Sequence, residues 1–227
     1  YPVPKISNLV PLMSEEKYSE LYKLSLDNPN KFWGEQALSR LNWIKPFDDV
    51  LSTNMEEAEF EWFSNGKLNA CFNCVDRHLE NNGNKIAFIW ESDDGSTSKK
   101  ITYQELYEEV CRFSNLLKSR GIKKGDRVCI YMPMILEAIY SMLACARIGA
   151  VHSVVFGGFS VESLKDRILD SDCQAIITAN EGLRGGKKIP LKSNVDSAVD
   201  QCPNVHTVIV VKNTDTTINL NSEVDVD

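Results

Sequence analysis

From Lys85 onward, short runs of β-branched and apolar residues alternate with stretches of helical periodicity, and this alternation confines the chain to a small set of folds. Residues 128–131, 151–156, 175–178 and 207–211 have strand length and composition. Between them, residues 134–148 read as a helix apolar nearly all round, Val161, Leu164 and Ile168 mark another, and residues 195–199 part of a third. Strands joined through helices run parallel, and such crossovers are right-handed. The expected architecture is α/β, with a mostly parallel sheet flanked by helices.

Residues 86–90 and 100–103 precede this pattern and flank Ser92-Asp93-Asp94-Gly95-Ser96, which predicts a hairpin with a loose turn. Thr102-Tyr103-Gln104-Glu105 is a capping box, and Leu106, Val110, Phe113 and Leu117 then form the apolar stripe of a helix ending before Gly121. Residues 1–84 differ in texture. They hold Trp33, Trp43 and Trp62 and the interrupted helical patterns 15–26 and 29–41, so a helical, aromatic-rich wrap is expected there and an α/β domain over 85–227. Cys71, Cys74, Val75 and His78 predict one more helix over 71–79. After Val211 the polar run through Glu223-Val224-Asp225-Val226-Asp227 reads as the start of an exposed connection.

Composition excludes several function classes. With 25 Lys+Arg against 32 Asp+Glu the net charge is −7, which argues against a nucleic-acid or membrane-surface protein, since both need a long-range positive field. Seven cysteines, an odd number scattered through apolar segments, suit reduced thiols in a cytoplasmic protein better than a disulfide framework. The apolar stretch 134–148 is too short to span ~30 Å of hydrocarbon. No signal-peptide pattern is visible, and the chain starts at Tyr1 instead of Met, as expected of a piece of a longer protein.

In an open parallel sheet, ligands bind beyond the carboxyl ends of the strands. The loops expected there are Met132-Pro133-Met134, Gly157-Gly158-Phe159-Ser160, and the segment after Thr178. Gly157 and Gly158 let a slim ligand approach the backbone, or simply make a sharp turn. In the third loop, Arg184, Lys187, Lys188 and Lys192 place four cations in nine residues, around Gly185-Gly186 and Pro190. They read either as an anion site or as a solvated surface.

Other patterns fail. Neither G-x-x-x-x-G-K-[ST] nor G-x-G-x-x-G occurs, which argues against a dehydrogenase-type dinucleotide domain. Cys71, Cys74 and His78 lack a second ligand pair and read as a buried helix face in place of a metal or redox site. His152, inside an apolar strand, reads as a core residue, and His206 has no evident partner.

Several motifs together carry a resemblance. Phe32-Trp-Gly-Glu35, Asn73-Cys-Val-Asp-Arg-His-Leu79, Gly121-Ile-Lys-Lys-Gly-Asp126, Ile130-Tyr-Met-Pro-Met134, residues 144–160 and Ile176-Ile-Thr-Ala-Asn-Glu-Gly182 occur in order over about 18–211. They resemble the AMP-forming acetyl-CoA synthetases of the adenylate-forming superfamily. The resemblance implies the first part of the large N-terminal domain of such an enzyme. It also implies a ligase that activates acetate, or propionate in the same branch, with Mg-ATP and then transfers the acyl group to coenzyme A. Phe156, Gly157 and Gly158 would line the pantetheine tunnel, and Arg184 and Lys187 would bind the 3′-phosphate of coenzyme A. Where the family has Arg, Lys187 keeps the charge without the planar fork. The ATP-phosphate loop, acyl pocket and C-terminal catalytic lysine are expected beyond Asp227, so no catalytic or metal-binding residue is assigned and this span alone is expected to be inactive. A non-catalytic nucleotide- or acyl-CoA-binding module is the alternative.

Overall fold

The computed structural model describes residues 13–220 and 225–226, divided into two compact units, residues 1–68 and 69–227. The division falls before the 71–79 segment, because that segment packs within the second unit.

In the first unit, helices α1 (Glu15–Asp27) and α2 (Pro29–Arg40) meet at Asn28, whose side chain accepts a hydrogen bond from the Lys31 amide while Pro29 opens the second helix. A hairpin absent from the sequence reading follows, β1 (Leu51–Asn54) with antiparallel β2 (Glu59–Trp62). Its residues are mostly exposed, so no apolar alternation announced it. Trp43, Phe47 and Phe63 cluster with ring centroids 4.9–5.6 Å apart, and a Cβ at Gly66 would stand 2.7 Å from the Trp43 ring.

The second unit begins with α3 (Ala70–Cys74), a 3-10 turn over Asp76–His78, and α4 (Leu79–Asn82). The single helix expected over 71–79 is thus broken at Val75. Cys71 is buried and Cys74 exposed, so the two thiols face apart. Hairpin strands β3 (Ile86–Glu91) and β4 (Ser98–Thr102) lead into α5 (Tyr103–Ser119), whose capping box forms as expected. Then follow β5 (Arg127–Met132), α6 (Leu136–Ile148), β6 (Val151–Phe156), α7 (Val161–Asp170), β7 (Ala175–Ala179), β8 (Gly182–Arg184), β9 (Lys187–Ile189), α8 (Leu191–Val199), β10 (Thr207–Val211) and β11 (Asp225–Val226). Glu223, Val224 and Asp227 of the expected exposed connection lie outside the described residues.

The main sheet has the order β11-β10-β7-β5-β6, all pairs parallel. Strand β7 is buried along its whole length, as a strand covered on both faces must be. Val128, Ile130 and Ile177 pack toward the cluster holding Leu106, Val110, Leu117 and Ala144 of α5 and α6. Cys129, Tyr131 and Ile176 face Leu164 and Ile168 of α7 and Leu191 and Val195 of α8.

Edge strand β6 corrects one expectation. His152, Val154 and Phe156 share one exposed side, while on the other Val155 is buried and Val151, at the strand's start, is exposed. His152 is therefore a surface residue, because the strand alternates and only one face meets a helix core. His206 also gains a partner, its Nδ1 lying 3.1 Å from Thr207 Oγ1.

All seven cysteines are free. Burial pushes the Cys71 thiol up to about 11, Cys145 up to about 12, and Cys129 higher still. At pH 8 a thiol of pKa near 12 is ionised in only about one molecule in ten thousand. Alkylation of the native protein at pH 8, read by peptide mass spectrometry, is expected to modify exposed Cys74 and leave Cys71, Cys129 and Cys145 unlabelled.

Candidate functional site

The carboxyl ends of β5, β6 and β7 point toward the three loops singled out from the sequence. Beyond β6, the Phe159 amide donates to the Phe156 carbonyl at 2.9 Å, closing a tight turn, and Ser160 caps α7 through the Ser163 amide. The turn is fastened from below. Buried Tyr131 donates its hydroxyl to the Phe159 carbonyl at 2.9 Å and accepts from Asn194 Nδ2 of α8 at 3.2 Å. Desolvation raises the Tyr131 pKa, which keeps the phenol protonated as that donor.

The cationic segment is not a loop. Residues 182–189 form an antiparallel hairpin, β8 with β9, in which Arg184 pairs directly with Lys187 across the Gly185-Gly186 turn. Both glycines have positive φ, +55° and +73°, as a two-residue type I′ turn requires. The Gly-Gly pair was the available signal, obscured because charged residues flank it in place of alternating apolar ones.

The four cations separate into two kinds. Lys188 Nζ lies 3.0 Å from Glu181 Oε2 and donates to Thr216 Oγ1 at 2.7 Å. Lys192 is buried, pairing with Asp196 and, at 2.8 Å, with Asp225. Burial opposes its charge, but the two carboxylates outweigh that and raise its pKa. The Lys192 ammonium is thus closed to a ligand, while that of exposed Lys188 is shared with Glu181. Arg184 and Lys187, by contrast, pair with no carboxylate among the described residues. Directly opposed residues project from the same face of a hairpin, and like charges there are destabilising until an anion lies between them.

Arg184 also connects the hairpin to the glycine turn. Its guanidinium carbon lies 4.8 Å from the Phe156 ring centroid. A Cβ at Gly158 would stand 2.6 Å from Phe156 Cε1 and 3.3 Å from Arg184 Nη1, and one at Gly157 would stand 3.2 Å from the Met132 carbonyl oxygen. The five residues singled out from the sequence thus meet: Phe156, Gly158 and Arg184 touch, Gly157 keeps the turn against β5, and Lys187 faces Arg184. Half-exposed Phe156 sets an apolar surface beside the Arg184 guanidinium.

Asn180 was not singled out from the sequence, yet it holds the hairpin's base. Its Oδ1 accepts from the amides of Glu181, Asn213 and Thr214 at 2.8–3.1 Å, and its Nδ2 donates to the carbonyls of Thr214 and Thr216 at 2.9 and 3.0 Å. Glu181 Oε2 accepts from Thr214 Oγ1 at 2.8 Å. Hydrogen bonds from Thr216 and Thr214, then the Lys188 ammonium, hold the Glu181 carboxyl below the usual carboxylate range. The segment after β10 is therefore fastened to the end of β7 in place of leaving as a loose connection.

Among the described residues no group of three or more His, Cys, Asp or Glu could hold a metal ion, and no helix is long and apolar enough to cross a membrane.

Residues 75–226 match the model of the AMP-binding enzyme family, and residues 18–74 that of the acetyl-coenzyme A synthetase N-terminus. Acetyl-coenzyme A synthetase 2 of Pseudomonas aeruginosa is 56% identical over 94% of this chain and 33% of its own length. Acetyl-coenzyme A synthetase of Saccharophagus degradans is 55% identical over 100% of this chain and 35% of its own. The chain thus spans about a third of the curated relatives it matches. Among solved structures, acetoacetyl-CoA synthetase from Streptomyces lividans superposes with a TM-score of 0.83 over 95% of this chain and 32% of that one, at 24% identity, a likeness of fold.

Proposed function

The chain belongs to the AMP-binding enzyme family, and on that premise we propose that it serves in a cytoplasmic AMP-forming acetate–CoA ligase, where this span supplies coenzyme A-binding elements and is inactive by itself. In the first step a carboxylate oxygen of acetate attacks the α-phosphorus of ATP, and pyrophosphate leaves with the β- and γ-phosphates. In the second, the thiol sulfur of coenzyme A attacks the acyl carbon, the thiol proton is lost, and AMP departs with the bridging oxygen. Magnesium enters as part of the nucleotide substrate. The residues for the ATP chemistry are expected in the other two thirds of such an enzyme.

The contribution of this span lies in the second step. Arg184 and Lys187 hold the 3′-phosphate of coenzyme A between them, relieving the repulsion built into the hairpin turn. The pantetheine arm runs along Phe156, over backbone that Gly157 and Gly158 leave free of Cβ atoms. One observation supports the reading: of a directly opposed pair of cations, unpaired among the described residues, Arg184 touches Phe156 beside the glycine turn at the carboxyl end of the sheet, while the two neighbouring lysines pair with carboxylates of the chain.

Coenzyme A and its 3′-dephospho form separate the reading from its alternatives in the full-length protein. The dephospho form is expected to have a KM about tenfold higher, the loss of roughly 1.4 kcal/mol of a screened charge-assisted contact. Equal KM values would remove the phosphate role from Arg184 and Lys187.

A further inference from the structure

At the other end of the sheet, the C-terminal turns of α5 and α6 and the turn after α5 surround an open cavity of about 700 Å³. Lys118, Lys123, Lys124 and Arg147 line it, and among the described residues no Asp or Glu does. In a chain of net charge −7, this is a local reversal of sign. Its floor is apolar, made by buried Ile122 with Ile148, and Asn115 adds an exposed amide.

The charges do not cancel locally. Arg147 donates to Asp76 Oδ2 at 2.6 Å and lies 5.0 Å from the Tyr107 ring centroid, so that guanidinium is already compensated. Lys118, Lys123 and Lys124 are exposed, and none pairs with a carboxylate among the described residues. The C-termini of α5 and α6 contribute about −0.5 charge each and neighbouring Asp126 −1, so three ammonium groups leave a net of about +1. The Asp126 carboxylate is occupied at the turn itself, accepting from the Lys123 amide at 2.9 Å. Lys124 lies across the end of α6, where a Cβ at Gly149 would stand 3.0 Å from its Cγ. The helix ends hold the lysines around the cavity without satisfying their charge.

We infer that this cavity is a second anion site, distinct from the proposed coenzyme A site at the opposite end of the strands, and that it takes a small molecule carrying a phosphate group. Its volume suits such a ligand, and the lysine rim with an apolar floor matches a molecule that is charged at one end. A single phosphate group, about −1.5 to −2 at pH 7, is enough to compensate the rim.

Hydrogen exchange on the full-length protein with millimolar inorganic phosphate tests the inference. Amides of residues 118–126 are expected to exchange about fivefold more slowly with the probe bound. Substitution Lys118→Gln, Lys123→Gln and Lys124→Gln together should abolish this protection while leaving any protection elsewhere in the protein unchanged. All three side chains are exposed, and Lys123→Gln alone, with the protection falling as KCl is raised, provides the same test at lower risk to folding. No protection over 118–126, or protection that survives the triple substitution, would overturn the inference, and neither result bears on the coenzyme A site.

Discussion

Replacing Arg184 by Ala is expected to raise the KM for coenzyme A about tenfold while leaving ATP–pyrophosphate exchange at its original rate. A charge-assisted hydrogen bond contributes roughly 1.5–3 kcal/mol where shielded, and the lower figure applies here because Arg184 is exposed and salt screens it. The stability side runs the other way. Arg184 stands directly opposite Lys187, so its removal relieves a like-charge contact that offsets the lost contact with the Phe156 ring, and the hairpin should unfold no more readily than before. Thermal unfolding of the variant is therefore the control. A raised KM with undiminished stability assigns the effect to the ligand, whereas a parallel fall in adenylate formation would show that Arg184 acts on the whole fold and not on coenzyme A. Arg184→Glu should exceed Arg184→Ala, since it adds a repulsive charge beside the same phosphate.

The largest structural effect is expected at Asn180. Replacement by Ala strips three amides and two carbonyls of their partner at a position only 3% exposed. Each unsatisfied buried group costs roughly 1–3 kcal/mol, and some will recover water, so a net local loss of about 3 kcal/mol is reasonable. Hydrogen exchange should register this as opening about a hundredfold more frequent at the Asn213 and Thr214 amides, with hairpin 182–189 loosening in step. Asn180→Asp keeps the oxygen that those amides donate to, but loses the donations to the Thr214 hydroxyl and to the Thr214 and Thr216 carbonyls, which then face a second oxygen. It should protect the two amides better than Asn180→Ala does. If both variants exchange alike, the side chain's acceptor role is not what fastens the segment.

The parallel sheet was legible because its strands are covered on both faces and so appear as continuous apolar runs, such as Ala175–Ala179. The same rule misled at β6, where apolar neighbours made His152 look interior although the strand lies at an edge. The residues singled out for the site lie together in the structure, but the sorting of the four cations was hidden from the sequence. Lys192 finds Asp225 across a long stretch of chain, and nothing local distinguishes it from Lys187. Hairpin 182–189 was missed for a related reason, since its strands have charged side chains that serve the surface and leave no alternating apolar record. Asn180 escaped because an asparagine after a strand normally signals only a turn, while its partners lie more than thirty residues later.

The sheet order β11-β10-β7-β5-β6 has a consequence for how the protein is made. As the chain leaves the ribosome, β5 comes first, β6 joins one side of it, β7 the other, β10 adds to β7, and β11 to β10. Each newcomer meets an edge that is already present, and none has to be threaded between two strands in place. At roughly 5–20 residues per second, the stretch from Arg127 to Val211 emerges in about 4–17 seconds. Over that interval the sheet can grow outward from β5 as fast as it is translated.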